Sequence, residues 1–139
     1  MNATILEFTI EDYPEALALW KATEGMGLSS ADEPGPIAAY LARNPGSSFV
    51  ARVNGELVGT ILAGHDGRRG FIHHLAVRSD YRRIGLGNEL TECALAALRA
   101  QGMQKCHLFV IAGNQAGRSF WKRLGWKERG DIVTMSKEI

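Results

Sequence analysis

The sequence predicts an α+β fold, in which a mixed, mostly antiparallel twisted sheet of about seven strands is flanked by four helices. Short apolar runs rich in β-branched residues alternate along the chain with segments of helical periodicity. Some neighbouring strands are joined by tight turns, of which Asn54-Gly55 gives the strongest hairpin signal, and others are joined through helices. The predicted element order is therefore β-α-α-β-β-β-α-β-α-β-β.

Length and charge limit the classes of protein that this chain can represent. Its 139 residues, 45% of them apolar and 22% charged, suit one domain over positions 1–139. A net charge of +1 argues against a broad nucleic-acid footprint. No apolar run reaches membrane-spanning length, and the N-terminal segment does not read as a signal peptide. We expect no nucleic-acid or membrane partner, and a cytoplasmic location.

The two cysteines, Cys93 and Cys106, are too few and too widely spaced for a zinc cluster. They read as small buried thiols in a reducing compartment. No metal is expected.

The first part of the chain predicts one strand and two helices. Thr4 to Thr9 is a short strand, and Thr9 with Asp12 approximates a capping box for a helix that runs to about Thr23. Trp20 is expected in the core of the protein. Glycine and proline punctuate Glu24 to Pro36, which must be irregular, and a short helix follows over Ile37 to Arg43.

The middle of the chain predicts an antiparallel meander of three strands joined by two turns. The strands are Ser48 to Val53, Glu56 to Gly64 and Phe71 to Val77, and the second turn is Asp66 to Gly70.

The last part predicts two helices, a buried strand and a hairpin. A long helix with a buried stripe of Leu90, Ala94, Ala97 and Leu98 is capped by Gly102. The predicted elements are a helix over Gly85 to Gln101, a strand over Cys106 to Ala112, a helix over Gln115 to Leu124, and a final hairpin within Trp126 to Ile139 that turns at Gly130-Asp131.

The pattern Arg82-x-x-Gly85-x-Gly87 lies between a predicted strand and the long helix and predicts an anion-binding loop. Glycine lets backbone come close to a ligand, and the first N–H groups of a helix are unpaired at the positive end of its dipole. Two better-known phosphate loops do not match. A P-loop requires Gly-Lys-Ser/Thr, whereas Asn88 follows Gly87, and a dinucleotide fingerprint requires glycine where Leu90 stands.

These residues resemble the pyrophosphate loop of the GNAT superfamily of acetyl-CoA-dependent N-acetyltransferases, whose core Arg/Gln-x-x-Gly-x-Gly/Ala follows a strand reading Leu-x-Val. The resemblance implies a fold splayed between the fourth and fifth strands, with a backbone N–H aimed at the thioester oxygen. It assigns cofactor contact to the strand residues Leu75, Ala76 and Val77 and to the loop residues Arg82, Arg83, Ile84, Gly85, Leu86, Gly87 and Asn88.

A second stretch, Asn114-x-x-Gly117-x-x-Phe-Trp121-x-x-x-Gly-Trp126, resembles the family pattern Asn-x-x-Ala-x-x-Phe/Leu-Tyr-x-x-x-Gly-Phe. Asn114 either bonds the pantetheine chain or caps the helix, and both roles are compatible. Gly117 replaces alanine and keeps room for the cofactor. Trp121 replaces the tyrosine that protonates the leaving thiolate in the family, and Trp126 is expected in the core.

The resemblance extends over nearly the whole chain and is closest to small bacterial single-domain enzymes of the YpeA type. These share the Asn-Gly-Glu hairpin and the Asp-Gly-x-Arg-Gly turn, here Asn54-Gly55-Glu56 and Asp66 to Gly70.

The candidate general base is His73, because histidine titrates near neutral pH. Serotonin N-acetyltransferases carry His-x-His-x-Leu-Ala-Val on this strand, and only the second histidine matches, as His73. Side chains alternate on a strand, so Phe71, His73 and Leu75 should share one face and His74 should take the other. His73 as a packing residue is an open alternative, as is water relayed to Glu24, Asp32 or Glu33. His74, His65 and His107 read as structural or exposed.

Two functions remain open from the sequence. The first is an acyltransferase that moves an acetyl group from acetyl-CoA directly to a primary amine of a small molecule, peptide or protein. The second is a catalytically weak or inactive GNAT-fold module that binds coenzyme A, which the change to Trp121 favours. A homodimer is an expectation from the family alone.

Overall fold

The fold is α+β, as the sequence predicts. The computed structural model describes residues 2–139, which form two compact units, one extending through Phe109 and the other from Val110 to Ile139. The first unit contains β1 (Thr4–Glu7), α1 (Tyr13–Ala22), α2 (Pro34–Arg43), β2 (Phe49–Val53), β3 (Glu56–His65), β4 (Gly70–Val77), α3 (Leu86–Ala100) and β5 (Cys106–Leu108); the second contains α4 (Gln115–Arg123).

The sheet is mixed, and its strands follow in the order β1-β2-β3-β4-β5. Neighbours among β1 to β4 pair antiparallel, and β5 pairs parallel to β4. Asn54 (φ +52°) and Gly55 (φ +80°) both have positive φ, as a type I′ turn between β2 and β3 requires. The predicted hairpin is confirmed.

The two faces of the sheet are covered by different helices. On one face, the α1 residue Trp20 is 1% exposed, and its indole Nε1–H donates to Thr60 Oγ1 at 2.9 Å. On the other face, a Cβ placed at Gly59 would lie 3.0 Å from Leu90 Cδ1 of α3. Since Gly59 and Thr60 are neighbours on β3, α1 and α3 lie on opposite sides of the sheet. The predicted core position of Trp20 is confirmed.

Several boundaries differ from those predicted. The second helix begins at Pro34 and not at Ile37, because proline fits the first helical turn, where its missing N–H costs nothing. A short 3-10 turn over Ser30–Asp32 precedes it within the segment predicted as irregular. The last sheet strand, β5, ends at Leu108, four residues earlier than predicted.

The predicted terminal hairpin is wrong, and the described residues contain five strands, not seven. Residues 127–139 form neither strand nor helix, and the side chain of Val133 is 86% exposed. Local side-chain bonds replace the turn: the guanidinium of Arg129 donates to both carboxylate oxygens of Asp131, at 3.0 and 2.9 Å. A strand needs a ladder partner, and β-branched residues such as Ile132 to Thr134 do not supply one by themselves.

Gly64 of β3 lies against the buried side chain of Asn44, which follows α2. Asn44 Oδ1 accepts from the N–H of His65 at 3.0 Å, and Asn44 Nδ2 donates to the C=O of Tyr40 at 3.2 Å. A Cβ at Gly64 would lie only 2.5 Å from Asn44 Cγ. Glycine at this position therefore lets Asn44 join the end of α2 to the end of β3.

We expect Gly64→Ala to lower the free energy of unfolding by about 1–3 kcal/mol, the usual cost of overpacking a buried site. Urea unfolding followed by circular dichroism measures the change. Gly35→Ala is the control, because a Cβ at Gly35 meets nothing within 4 Å. An unchanged midpoint for Gly64→Ala would show that Asn44 moves aside without cost.

Candidate active site

A β-bulge interrupts the pairing of β3 with β4 at the two consecutive histidines. Leu62 lies opposite His73 and Thr60 lies opposite Ala76, so three steps along β4 match two along β3. His74 takes up the extra residue with a φ of +47°, a left-handed conformation that is uncommon outside glycine. The C=O of His74 accepts from Thr60 Oγ1 at 2.9 Å.

The bulge overturns the predicted distribution of side chains on this strand. Thr60 and Leu62 share a face of β3, so their partners Ala76 and His73 share that face as well, and Leu75 takes the opposite one. The His74 ring lies 4.8 Å from the Trp20 ring on the α1 side. The expectation that His74 points away from His73 is wrong, because strand alternation holds only where pairing is regular.

His74 forms a close pair with Asp32, which lies in the segment between α1 and α2. The distance from His74 Nε2 to Asp32 Oδ1 is 2.6 Å, and the two side chains are 14% and 11% exposed. Asp32 Oδ2 accepts from the N–H of Ser29 at 2.9 Å, and the Asp32 C=O accepts from the hydroxyl of Tyr13 at 2.6 Å. The pair joins that segment to the bulge.

His73 is half-buried and lies among aromatic rings. Its ring centroid is 6.0 Å from that of Tyr40 and 6.4 Å from that of Phe109. Burial, and then the neighbouring His74, lower the pKa of His73, while Asp32 opposes the shift. The imidazole is therefore neutral at neutral pH and has a nitrogen that can accept a proton.

A pocket of about 220 Å³ opens beside His73 at the end of α2. The Tyr40 hydroxyl is buried and has no hydrogen-bond partner within the described residues, and burial raises the pKa of this phenol. Backbone N–H groups of Arg69 and Arg68 lower the pKa of Asp66. The pocket is lined by Tyr40, Arg43, Asn44, Gly64, His65, Asp66, Phe71 and His73.

The ladder between β4 and β5 is short. It joins Gly70, Phe71 and Ile72 to Cys106, His107 and Leu108, and in the described part of the chain it does not continue past Ile72. The β5-facing edge of β4 from His73 to Val77 therefore lies beyond this pairing. Free backbone groups at such an edge can hydrogen-bond a ligand.

The segment between β4 and α3 forms a hydrogen bond back to the end of β4. Arg82 Nε donates to the C=O of Val77 at 2.8 Å. Arg83 has φ +67°, and Gly85, at the N-cap of α3, has φ +85°. The bond from the Glu89 N–H to the Gly85 C=O is 3.0 Å long, and the N–H groups of the three residues before Glu89 have no partner inside the helix. Left-handed residues before a helix N-terminus gather N–H groups into an anion-binding concavity.

In the second unit, Asn114 caps α4. Its Oδ1 accepts from the N–H of Gly117 at 3.0 Å, which is the N-cap role expected from the sequence. A Cβ at Gly117 would lie 2.6 Å from Asn114 Nδ2, so this glycine makes room for the capping amide.

Trp121 packs within the same unit. Its ring lies 5.2 Å from that of Trp126 and 5.0 Å from that of Phe120, both edge-on. Trp126 is half-buried, so its expected core position is wrong: the second unit is too small to enclose an indole completely.

The remaining candidates have structural partners. His65 Nδ1 accepts from the N–H of Gly67 at 2.9 Å, and the His107 ring lies 5.6 Å from that of Phe71. Cys93 and Cys106 are free thiols and only half-buried, and burial raises the pKa of Cys106 to about 11.

Within residues 2–139, no group of three or more histidine, cysteine or acidic side chains could hold a metal ion. No helix there is long and apolar enough to cross a membrane.

Comparison with known proteins identifies the class. The model of the acetyltransferase (GNAT) family matches residues 7–126, and the chain belongs to this family. It is 32% identical over 132 residues to an acetyltransferase of Pectobacterium atrosepticum and 31% identical over 132 residues to one of Sodalis glossinidius; each match covers 95% of this chain and 92% of the relative. The protein is an acetyltransferase.

The fold closely resembles that of a protein of known structure. The PaiA N-acetyltransferase of Thermoplasma acidophilum, in complex with coenzyme A, superposes with a TM-score of 0.80 at 19% identity. The match covers 95% of this chain and 94% of that one. The GNAT fold predicted from the two motifs is thereby confirmed, whereas the YpeA type stays a prediction.

Sequence reasoning missed the pair formed by His74 and Asp32. Histidine tolerates a left-handed conformation better than most residues, but nothing in Phe-Ile-His-His-Leu distinguishes a bulge from a regular strand. The sequence offers Asp32 as a candidate for proton relay, but it does not reveal the contact with His74, because the two residues are 42 positions apart.

Proposed function

We propose that this acetyltransferase moves the acetyl group of acetyl-CoA directly to a primary amine. The observation that carries the proposal is the loop from Arg82 to Asn88, where two left-handed residues precede the N-terminus of α3. Such a loop suits a pyrophosphate, because it offers backbone N–H groups and the positive end of a helix dipole.

The acetyl end of the cofactor is proposed to lie along β4. Leu75, Ala76 and Val77 belong to the part of β4 beyond its pairing with β5, so those of their backbone groups that bond neither β3 nor Arg82 are available to pantetheine and thioester. An N–H in this stretch would donate to the thioester oxygen and stabilise the negative charge that develops there during attack. Asn114 Nδ2 is a further donor for pantetheine, because the cap uses only Oδ1.

His73 is proposed as the base. It lines the pocket beside Tyr40, and its lowered pKa keeps it ready to accept a proton at neutral pH. The amine loses a proton to His73, its nitrogen attacks the carbonyl carbon, and the carbon–sulfur bond breaks. Coenzyme A then leaves as thiolate, which is a fair leaving group because thiols have pKa values near 8.5.

A second candidate function is a module that binds coenzyme A without efficient turnover. Trp121 favours it, since an indole N–H is a hydrogen-bond donor but not an acid at ordinary pH. Thiol release measured across a panel of amines separates the two: turnover of any amine supports the enzyme, and tight binding without turnover supports the module.

We expect Gly87→Val to abolish measurable acetyl-CoA binding while the protein stays folded, because a branched side chain would stand where phosphate must approach backbone. Calorimetric titration gives the affinity, and thermal unfolding confirms the fold. Gly35→Val is the matched control, because Gly35 is likewise the second residue of its helix and has open space around it. Unchanged affinity in folded Gly87→Val would remove this loop from the cofactor site.

His73→Ala should lower kcat/KM by about 10²- to 10⁴-fold, the usual contribution of a general base. The neutral imidazole is the active form, so the wild-type rate should fall as pH drops through the His73 pKa, which lies below its usual value of about 6.5. That acid limb should vanish in His73→Ala and persist in the control His107→Ala. A limb that survives in His73→Ala would assign the base elsewhere.

A further prediction concerns Trp121. If it only packs beside the cofactor sulfur, Trp121→Phe should change the rate by less than about tenfold. Trp121→Tyr should raise the rate, because the tyrosine hydroxyl restores an acid. The smaller ring leaves a small cavity, which offsets part of that gain. Steady-state kinetics with one accepted amine measures both. Collapse of activity in Trp121→Phe with intact acetyl-CoA binding would instead make the indole N–H a catalytic donor.

A further inference from the structure

His74 is a strained residue that its surroundings hold in place. It keeps φ +47° in the middle of β4, and its C=O accepts from Thr60 Oγ1, which in turn accepts from the buried indole of Trp20. Non-glycine residues persist in such conformations only where neighbouring structure over-determines them, and such positions cluster at functional sites.

The side chain of His74 is fixed as firmly as its backbone. Its ring packs 4.8 Å from the Trp20 ring and reaches Asp32 Oδ1 at 2.6 Å. Asp32 is held by Ser29 and Tyr13 as well, through its other carboxylate oxygen and its C=O. A contact between two largely buried, oppositely polar groups is stronger than one at the surface, because water does not compete for it.

The segment from Glu24 to Glu33 has few other attachments. All of its side chains except those of Met26 and Asp32 are exposed, and Met26 packs at the edge of the core. The segment contains two glycines and two serines, Gly25, Gly27, Ser29 and Ser30, which favour alternative backbone conformations. Asp32 is therefore its main polar anchor on β4.

We propose that the side-chain pair of His74 and Asp32 forms a latch. This latch positions the segment from Glu24 to Glu33 for the acceptor amine. The inference rests on the proposed function, in which His73 takes the proton of the amine: His74 is the next residue, so the segment that Asp32 anchors there lies beside the proposed base. Both are positioning residues: they act on the amine through the segment and the bulge. The latch leaves the phosphate end of acetyl-CoA untouched, since that end is assigned to the loop before α3.

Removing the carboxylate tests the latch. Asp32→Ala should raise KM for the amine by about tenfold or more, as expected when a hydrogen bond to a charged group is lost. The affinity for acetyl-CoA, measured by calorimetry, should stay within about twofold. Asp32→Asn should recover part of the loss, because its amide oxygen still accepts from His74 Nε2–H. Glu11→Ala is the control, an exposed carboxylate of the same charge in the turn before α1 and outside the latch.

Two His74 variants separate the side chain from the backbone. Glycine adopts φ +47° without strain but has no ring, whereas alanine loses the ring and keeps the strain. If the latch positions the segment, both His74→Gly and His74→Ala raise KM for the amine, because both remove the ring that contacts Asp32. Wild-type kinetics in His74→Gly would show that only the bulge matters and would overturn the latch.

Hydrogen exchange provides a measurement that does not need turnover. Backbone amides in residues 24–33 should exchange faster in Asp32→Ala than in Glu11→Ala, at unchanged overall stability. Equal exchange in these two variants would overturn the latch even if the enzyme is active. Absence of turnover with every amine would instead overturn the proposed function, and faster exchange would still support the latch.

Discussion

The one-residue mismatch between β3 and β4 determines where the chemistry-bearing side chains of the first unit lie. Had the pairing stayed regular, Ala76 could not lie opposite Thr60 while His73 lies opposite Leu62. Inserting one residue at His74 directs both histidines to the α1 side and sends Leu75 to the other face. The bulge thus assembles an imidazole pair on one side of β4 and leaves the Leu75 to Val77 backbone beyond the β5 ladder.

A chain of hydrogen bonds connects this bulge to the core. The indole of Trp20 donates to Thr60, and Thr60 donates to the C=O of His74, at 2.9 Å each. The buried hydroxyl of Thr60 both accepts and donates a hydrogen bond, and its loss would leave an indole N–H and a carbonyl unpaired in the interior. The core of this protein therefore does more than exclude water, because the hydroxyl that satisfies the Trp20 indole also fixes the backbone of the bulge.

The parts of the fold that sequence reasoning found are those with local causes. Asn54-Gly55 predicted its hairpin because two positive φ values are a property of those residues. The loop from Arg82 to Gly87 was found because glycine marks where backbone must be left-handed or exposed. The terminal hairpin failed for the opposite reason: β-branched residues such as Ile132 to Thr134 favour a strand only where a partner strand is present, and pairing is a property of two segments.

The same distinction divides the two halves of the proposed site. Anion binding relies on backbone groups within a few residues of one another, so the sequence of one loop contains most of the information. The acceptor side depends on contacts between distant segments, such as Asp32 with His74 and Tyr40 with His73, and on a bulge that exists only relative to β3. A change in one of those segments alters the side chains that the other segments place at the proposed site, without altering the cofactor loop. Donor recognition can therefore stay constant in such a fold while the amine that it accepts varies.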